Sequence, residues 1–142
     1  MTGQLFVDTG AWYALQVRGD RWHLEARRAL ELAVSRRTPL LTTNHVVGET
    51  YTLLMKTHGQ AAALHFVDTL GRSGRLERVH LDEKIEAEAW KLLQRYSDQA
   101  FSFVDATSFA LMRARRLRHA FAFDAHFSVA GFARVPLEAE PP

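Results

Sequence analysis

Three short apolar runs constrain this chain more than anything else in it. Leu5-Phe6-Val7, Leu40-Leu41-Thr42-Thr43 and Phe121-Ala122-Phe123 are brief, rich in aliphatic and aromatic residues, and end abruptly in polar residues. Runs of this kind read as buried strands. Leu76–His80 and Arg134–Leu137 offer two more. Between them lie segments with helical spacing. One runs from about Trp22 to Ser35, with Asp20 before it as a cap; another runs from Asn44, read as its N-cap, to His58, where Gly59 ends it. Ala63, Phe66, Val67 and Leu70 fall at i, i+3, i+4 and i+7. Asp82 caps a helix that places Ile85, Ala89, Leu92, Leu93 and Tyr96 on one face, and Ser102, three residues before Asp105, opens a helix that reaches about Arg118. Asp8-Thr9-Gly10 reads as a turn after the first strand. Strands alternating with helical crossovers predict an α/β fold, a mainly parallel sheet flanked by helices on both faces. A chain of 142 residues fits one domain, expected over 1–137, with 138–142 as a frayed tail.

Composition removes several chemistries at once. There is no cysteine, so thiol nucleophiles, disulfide frameworks, zinc ribbons and iron–sulfur clusters are excluded, and a reducing compartment, the cytoplasm, is the expected location. No apolar run approaches the roughly 18 residues of a membrane span, so no membrane partner is expected, and the first residues lack the basic region of a signal peptide. The seven histidines show no metal-ligand pairing in sequence.

Four acids stand where a merely solvated acid is out of place. Asp8 follows the first strand and Asp124 follows Phe121-Ala122-Phe123, so both point to the carboxyl edge of the sheet, where open α/β folds bind ligands. Glu49 sits at the border of an apolar stripe, three residues after Val46 and four before Leu53. Asp105 opens its helix among Phe101, Phe103, Val104 and Phe109. Each acid also has an ordinary structural explanation: an Asx turn for Asp8 and Asp124, a snorkelling side chain for Glu49, a helix cap for Asp105. Taken together, two acids at strand ends and two near helix starts match a pattern with a mechanism if they converge. Carboxylates gathered this way repel one another unless a cation joins them, and hard oxygen donors select Mg²⁺ or Mn²⁺. Such ions activate water and stabilise the charge of an attacked phosphodiester, so the chemistry implied is metal-assisted phosphodiester hydrolysis.

The blocks Phe6-Val7-Asp8-Thr9-Gly10-Ala11-Trp12, Thr42-Thr43-Asn44 leading to Glu49-Thr50, Ser102-Phe103-Val104-Asp105-Ala106-Thr107-Ser108-Phe109 and Phe121-Ala122-Phe123-Asp124-Ala125-His126-Phe127 resemble, in order, those of PIN-domain nucleases. Within that family they are similar to the VapC-type toxins of toxin–antitoxin pairs. The resemblance covers Phe6 to Phe132. It implies a PIN fold, Mg²⁺- or Mn²⁺-dependent endoribonuclease activity on RNA, a homodimer and a cognate antitoxin protein. It assigns Asp8, Glu49, Asp105 and Asp124 to the catalytic, metal-holding quartet, and Thr9, Asn44 and Thr107 to supporting polar positions. Two departures stand out. Gly10 replaces a serine common in the family, and His126 stands where some members carry a further acid.

An RNA substrate needs a basic approach, and Arg113 and Arg116, with Arg115 and Arg118 beside them, form the densest basic cluster; cations that favour a helix C-terminus explain it equally well. Arg72, Arg75 and Arg78 read as a solvated loop. Trp12, Tyr13 and Trp22 are candidates for base stacking or for the core. A catalytically silent PIN-like module that binds RNA or assembles with a partner is the alternative reading. A haloacid-dehalogenase-like phosphatase, which begins with a similar strand, is disfavoured because Gly10 stands where its second aspartate belongs. The formal charge of +2 conceals the division between these groups: without the quartet, 18 basic residues face 12 acidic ones, a net +6.

Overall fold

The computed structural model describes residues 3–138. Strands β1 (Leu5–Val7), β2 (Leu40–Thr43), β3 (Leu76–Val79), β4 (His119–Phe121) and β5 (Ala133–Val135) form one sheet, ordered β3-β2-β1-β4-β5, with every neighbouring pair parallel. β1 and β2 are buried along their whole length, as strands covered on both faces must be. Seven helices are present among the described residues: α1 (Thr9–Gln16), α2 (His23–Ser35), α3 (Asn44–His58), α4 (Gln60–Gly71), α5 (Glu83–Arg95), α6 (Phe103–Ala114) and α7 (His126–Val129). The chain winds outward from β1 through β2 to β3, then crosses back to β4 on the other side of β1. Right-handed crossovers therefore put α1–α4 on one face and α5–α7 on the other. The reversal lies between β1 and β4, and the crevice beyond the carboxyl ends of those two strands is where such sheets take ligands.

The α/β reading, the parallel sheet and most element bounds agree with this architecture. The differences have local causes. The segment Thr9–Gly10, expected as a turn, begins α1 directly, with Asp8 as N-cap residue; its side chain makes no capping bond and so remains available to the crevice. Asn44 is not the cap of α3. Thr43 is, its hydroxyl accepting from Val46 N at 3.0 Å, while Asn44 Oδ1 accepts from Leu81 N at 3.1 Å and ties α3 to the loop after β3. α6 stops at Ala114 rather than near Arg118, because Arg116 adopts a left-handed φ of 58° and Leu117 N bonds back to Met112 O at 2.9 Å, a Schellman-type ending. β4 ends at Phe121, two residues early, so Asp124 stands on the loop beyond it. Glu138, placed by sequence in the frayed tail, accepts from Ser128 Oγ at 2.8 Å and Arg134 Nη2 at 3.0 Å; the rest of that tail, 139–142, lies outside the described residues.

Packing fixes the loops that matter. Phe6, Phe109 and Phe127 are buried to within 1% and meet in one cluster, Phe109 edge-on to Phe127 at 4.9 Å and 88°. Phe127 belongs to the four-residue helix α7, too short to hold itself, so this burial is what anchors the segment carrying Asp124 and His126. Truncating such a ring to alanine costs about 3–5 kcal/mol.

Candidate metal centre

Asp8, at the carboxyl end of β1, is 5% exposed. Its carboxyl is pushed up from 3.8 to about 8, first by burial and then by the proximity of Asp105, Glu49 and Asp124; the Thr9 backbone N–H works the other way. All four acids singled out from sequence therefore converge. Thr9 belongs with them, since its hydroxyl donates to Glu49 Oε1 and holds that carboxylate on the α1 side. Among the described residues no lysine or arginine forms an ion pair with any of the four.

Asp105 serves two purposes. It occupies the third position of α6 in a full capping box: Asp105 N donates to Ser102 Oγ and Ser102 N to Asp105 Oδ2, both at 3.0 Å. The cap and the site are thus one device, with the helix N-terminus fixing the acid. Asp105 Oδ2 also lies 2.9 Å from His126 Nδ1, and Asp124 Oδ1 accepts from the His126 backbone N–H at 2.8 Å. Ligand atoms of Asp105, Asp124 and His126 lie within 4.8 Å of one another. The donor set is therefore four carboxylates, all but Asp8 at least partly accessible, beside one imidazole. That set suits a hard or borderline divalent cation, and the raised Asp8 carboxyl is the electrostatic cost of holding it without one.

Several of the other expected residues have partners of their own. Asn44 is engaged by Leu81, and the Thr107 hydroxyl donates to Val104 O at 2.9 Å within its own helix. Arg113 and Arg116 lie at the other end of α6, which rises about 1.5 Å per residue, so Arg113 is about 12 Å along the axis from Asp105. Arg113 donates to Tyr96 Oη and Ala130 O instead. Arg115 is further away in function as well as in space, because it makes a two-pronged bridge to Glu77. The helix direction, not the composition of the cluster, decides this: α6 starts at the crevice and runs away from it.

Other residues border the crevice. Trp22 stacks on Phe123, centroids 5.0 Å apart at 8°, and the Arg21 guanidinium lies 4.6 Å over the Trp22 ring. Phe123 immediately precedes Asp124, so this ladder sets a planar cation at the carboxyl edge. Arg134, 15% exposed at its side chain, donates to Phe123 O at 2.9 Å and to Ser128 Oγ at 2.8 Å, bracing the same loop. In sequence the only signal for Arg134 is a cation set between Ala133 and Val135 of a short strand. Trp12, by contrast, is a core residue whose Nε1 donates to Thr42 Oγ1. On the other flank an open groove of about 670 Å³ leads from Glu49 between α3 and the start of α6, walled by Leu53, Phe103 and Val104, with Lys56 in its lining. At Gly10 an added Cβ meets nothing within 4 Å, so the serine usual in the resemblance has room here.

A PIN-domain family model matches residues 5–133. The 23S rRNA-specific endonuclease VapC20 of Mycobacterium tuberculosis is 44% identical over 132 residues, covering 92% of this chain and 97% of that protein. The crystal structure of VapC20 from the same organism, described as a toxin that cleaves the sarcin–ricin loop, superposes with a TM-score of 0.84 at 40% identity over 97% of this chain and 100% of that one. A VapBC2 structure from Rickettsia felis shares the fold, with a TM-score of 0.68 at 13% identity over 92% and 96% of the two chains.

Proposed function

Since the chain belongs to the PIN-domain family, we propose that it is a metal-dependent endoribonuclease that cuts 23S rRNA in the sarcin–ricin loop, the toxin of a VapBC-type pair. The observation that carries this reading is the convergence of Asp8, Glu49, Asp105 and Asp124 with no lysine or arginine paired to any of them among the described residues. Asp8 and Asp105 hold the ion, Mg²⁺ or Mn²⁺, and Glu49 and Asp124 complete its surroundings or orient the attacking water. The bound ion supplies Lewis-acid activation of water and neutralises charge on the attacked phosphate. Thr9 positions Glu49; Asn44 and Thr107 hold the backbone that surrounds the site.

RNA approaches over the carboxyl edge, where Arg21, seated on Trp22, meets a phosphate or stacks beneath a base, and the groove at Glu49 and Phe103 takes an adjoining nucleotide. His45 lines the same groove, its ring 5.6 Å from Phe103. A silent RNA-binding module has no need of four converging, mutually repelling acids, so catalysis is the better reading. A cognate antitoxin, a homodimer and a cytoplasmic location complete the proposal; among the described residues no helix is long and apolar enough to cross a membrane.

The experiment is incubation of purified bacterial ribosomes with the protein, followed by primer extension across 23S rRNA. A single new end inside the sarcin–ricin loop, dependent on Mg²⁺ or Mn²⁺ and abolished by EDTA, is expected. Cleavage elsewhere overturns the substrate, and cleavage that survives EDTA overturns the metal mechanism.

A further inference from the structure

An all-oxygen ligand set does not explain His126. Its side chain is 30% exposed, so it is accessible from the crevice, yet the ring is not free. The ring stands edge-on to Phe101, 5.1 Å between centroids at 72°, and α7 is anchored through the fully buried Phe127. An imidazole fixed this way loses little freedom on taking a ligand.

The fixed position is within the acid cluster itself. Nδ1 lies 2.9 Å from Asp105 Oδ2 and 3.5 Å from Asp124 Oδ1. Neighbouring donor atoms around a six-coordinate ion with bonds of about 2.1 Å are about 3 Å apart. The nitrogen therefore already stands at the spacing of an adjacent ligand. The buried, repelled carboxyl of Asp8 is a separate sign that a cation belongs there. Asp105 Oδ2 also accepts from the Ser102 backbone N–H, and a carboxylate oxygen keeps a further lone pair for an ion.

We propose that His126 is a metal ligand through Nδ1, giving a mixed oxygen–nitrogen centre that prefers Mn²⁺ to Mg²⁺. The inference rests on the reading of the cluster as a metal centre and adds the identity of one ligand and of the preferred ion. Imidazole nitrogen suits Mn²⁺ and later divalent ions, whereas Mg²⁺ favours oxygen donors and retains its waters. Ligation through Nδ1 uses the tautomer whose proton is on Nε2. A histidine that only steadies Asp105 would leave the ligand set entirely oxygen.

Pulsed EPR of the Mn²⁺-loaded protein distinguishes the two. Modulation from a directly bound ¹⁴N is expected in the parent and is lost in His126→Gln and His126→Asp. In competition titrations, His126→Gln weakens Mn²⁺ binding roughly tenfold while Mg²⁺ binding changes less than about threefold, the scale on which metal-site partners usually act. His126→Asp shifts the preference toward Mg²⁺. Bound Mn²⁺ without nitrogen modulation in the parent, or equal losses for both ions, overturns the inference and leaves the metal centre standing. No Mn²⁺ binding by the parent overturns the metal-centre reading as well. The nitrogen signal is read on the parent and does not depend on a variant folding.

Discussion

The two edges of one sheet treat charge in opposite ways. At the amino edge Glu77 receives two bonds from Arg115, at 2.8 and 2.9 Å, and one from Gln4 at 2.6 Å, and its carboxyl is held down at about 2 by those partners. At the carboxyl edge four acids face one another around a buried Asp8 whose carboxyl is driven up to about 8. Similar groups, a few residues from the same strands, are compensated in one place and left uncompensated in the other. A balanced network is what stability selects; an unbalanced one persists where an absent charge completes it. The comparison also explains why the arginines of α6 are poor candidates for contact with the reacting phosphate. Their helix ends at the compensated edge.

The largest test of the contrast is Asp8→Asn. Removal of one member of the unbalanced cluster is expected to lower RNA cleavage by about a thousandfold or more, because the proposed role of Asp8 is to hold the ion. A rate assay on a sarcin–ricin oligonucleotide checks this, and activity within tenfold of the parent breaks the assignment. Next comes Arg21→Ala, which removes the outer cation of the Phe123–Trp22–Arg21 ladder. KM for RNA is expected to rise about fivefold with kcat within twofold, and the salt dependence of binding to weaken, as for a lost phosphate contact. A change confined to kcat would instead place Arg21 at the chemistry.

The smallest effect is expected at the balanced edge. Glu77→Gln should leave cleavage unchanged and cost less than about 1 kcal/mol, because both partners of the bridge are substantially solvated, 34% and 46% exposed. Its contribution is present above the ordinary carboxylate range and lost as the pH falls from about 4.5 toward about 2, so the difference between parent and variant should vanish in acid melts.

Much of this was written locally. Leu5-Phe6-Val7 ending in Asp8 marks both a strand and the edge where ligands bind, and Ser102 with Asp105 marks a helix start whose capping acid is also a site acid. What was not legible depends on how distant segments meet. Nothing near Arg113 in sequence tells which end of the sheet its helix reaches, and nothing near Trp22 tells that it stacks on Phe123, about a hundred residues on. The role of Asn44 shifts for the same reason: its partner, the Leu81 N–H, is brought to it by the β2–β3 pairing. His126 carries no ligand spacing to another histidine, and its place beside Asp105 is visible only once Phe127 is seen to pin α7.

The claim that the carboxyl edge awaits a cation is tested most directly by thermal unfolding at pH 8, with and without Mn²⁺, of the parent and of Asp8→Asn. Asp8 has a raised folded-state pKa, so its contribution to stability is intact below about pH 4 and is lost as the pH rises through about 8. The metal-free variant should therefore melt above the metal-free parent. Saturating Mn²⁺ should raise the parent by about 5 °C or more and the variant by much less. A parent that Mn²⁺ does not stabilise, or a variant stabilised equally, would contradict the account.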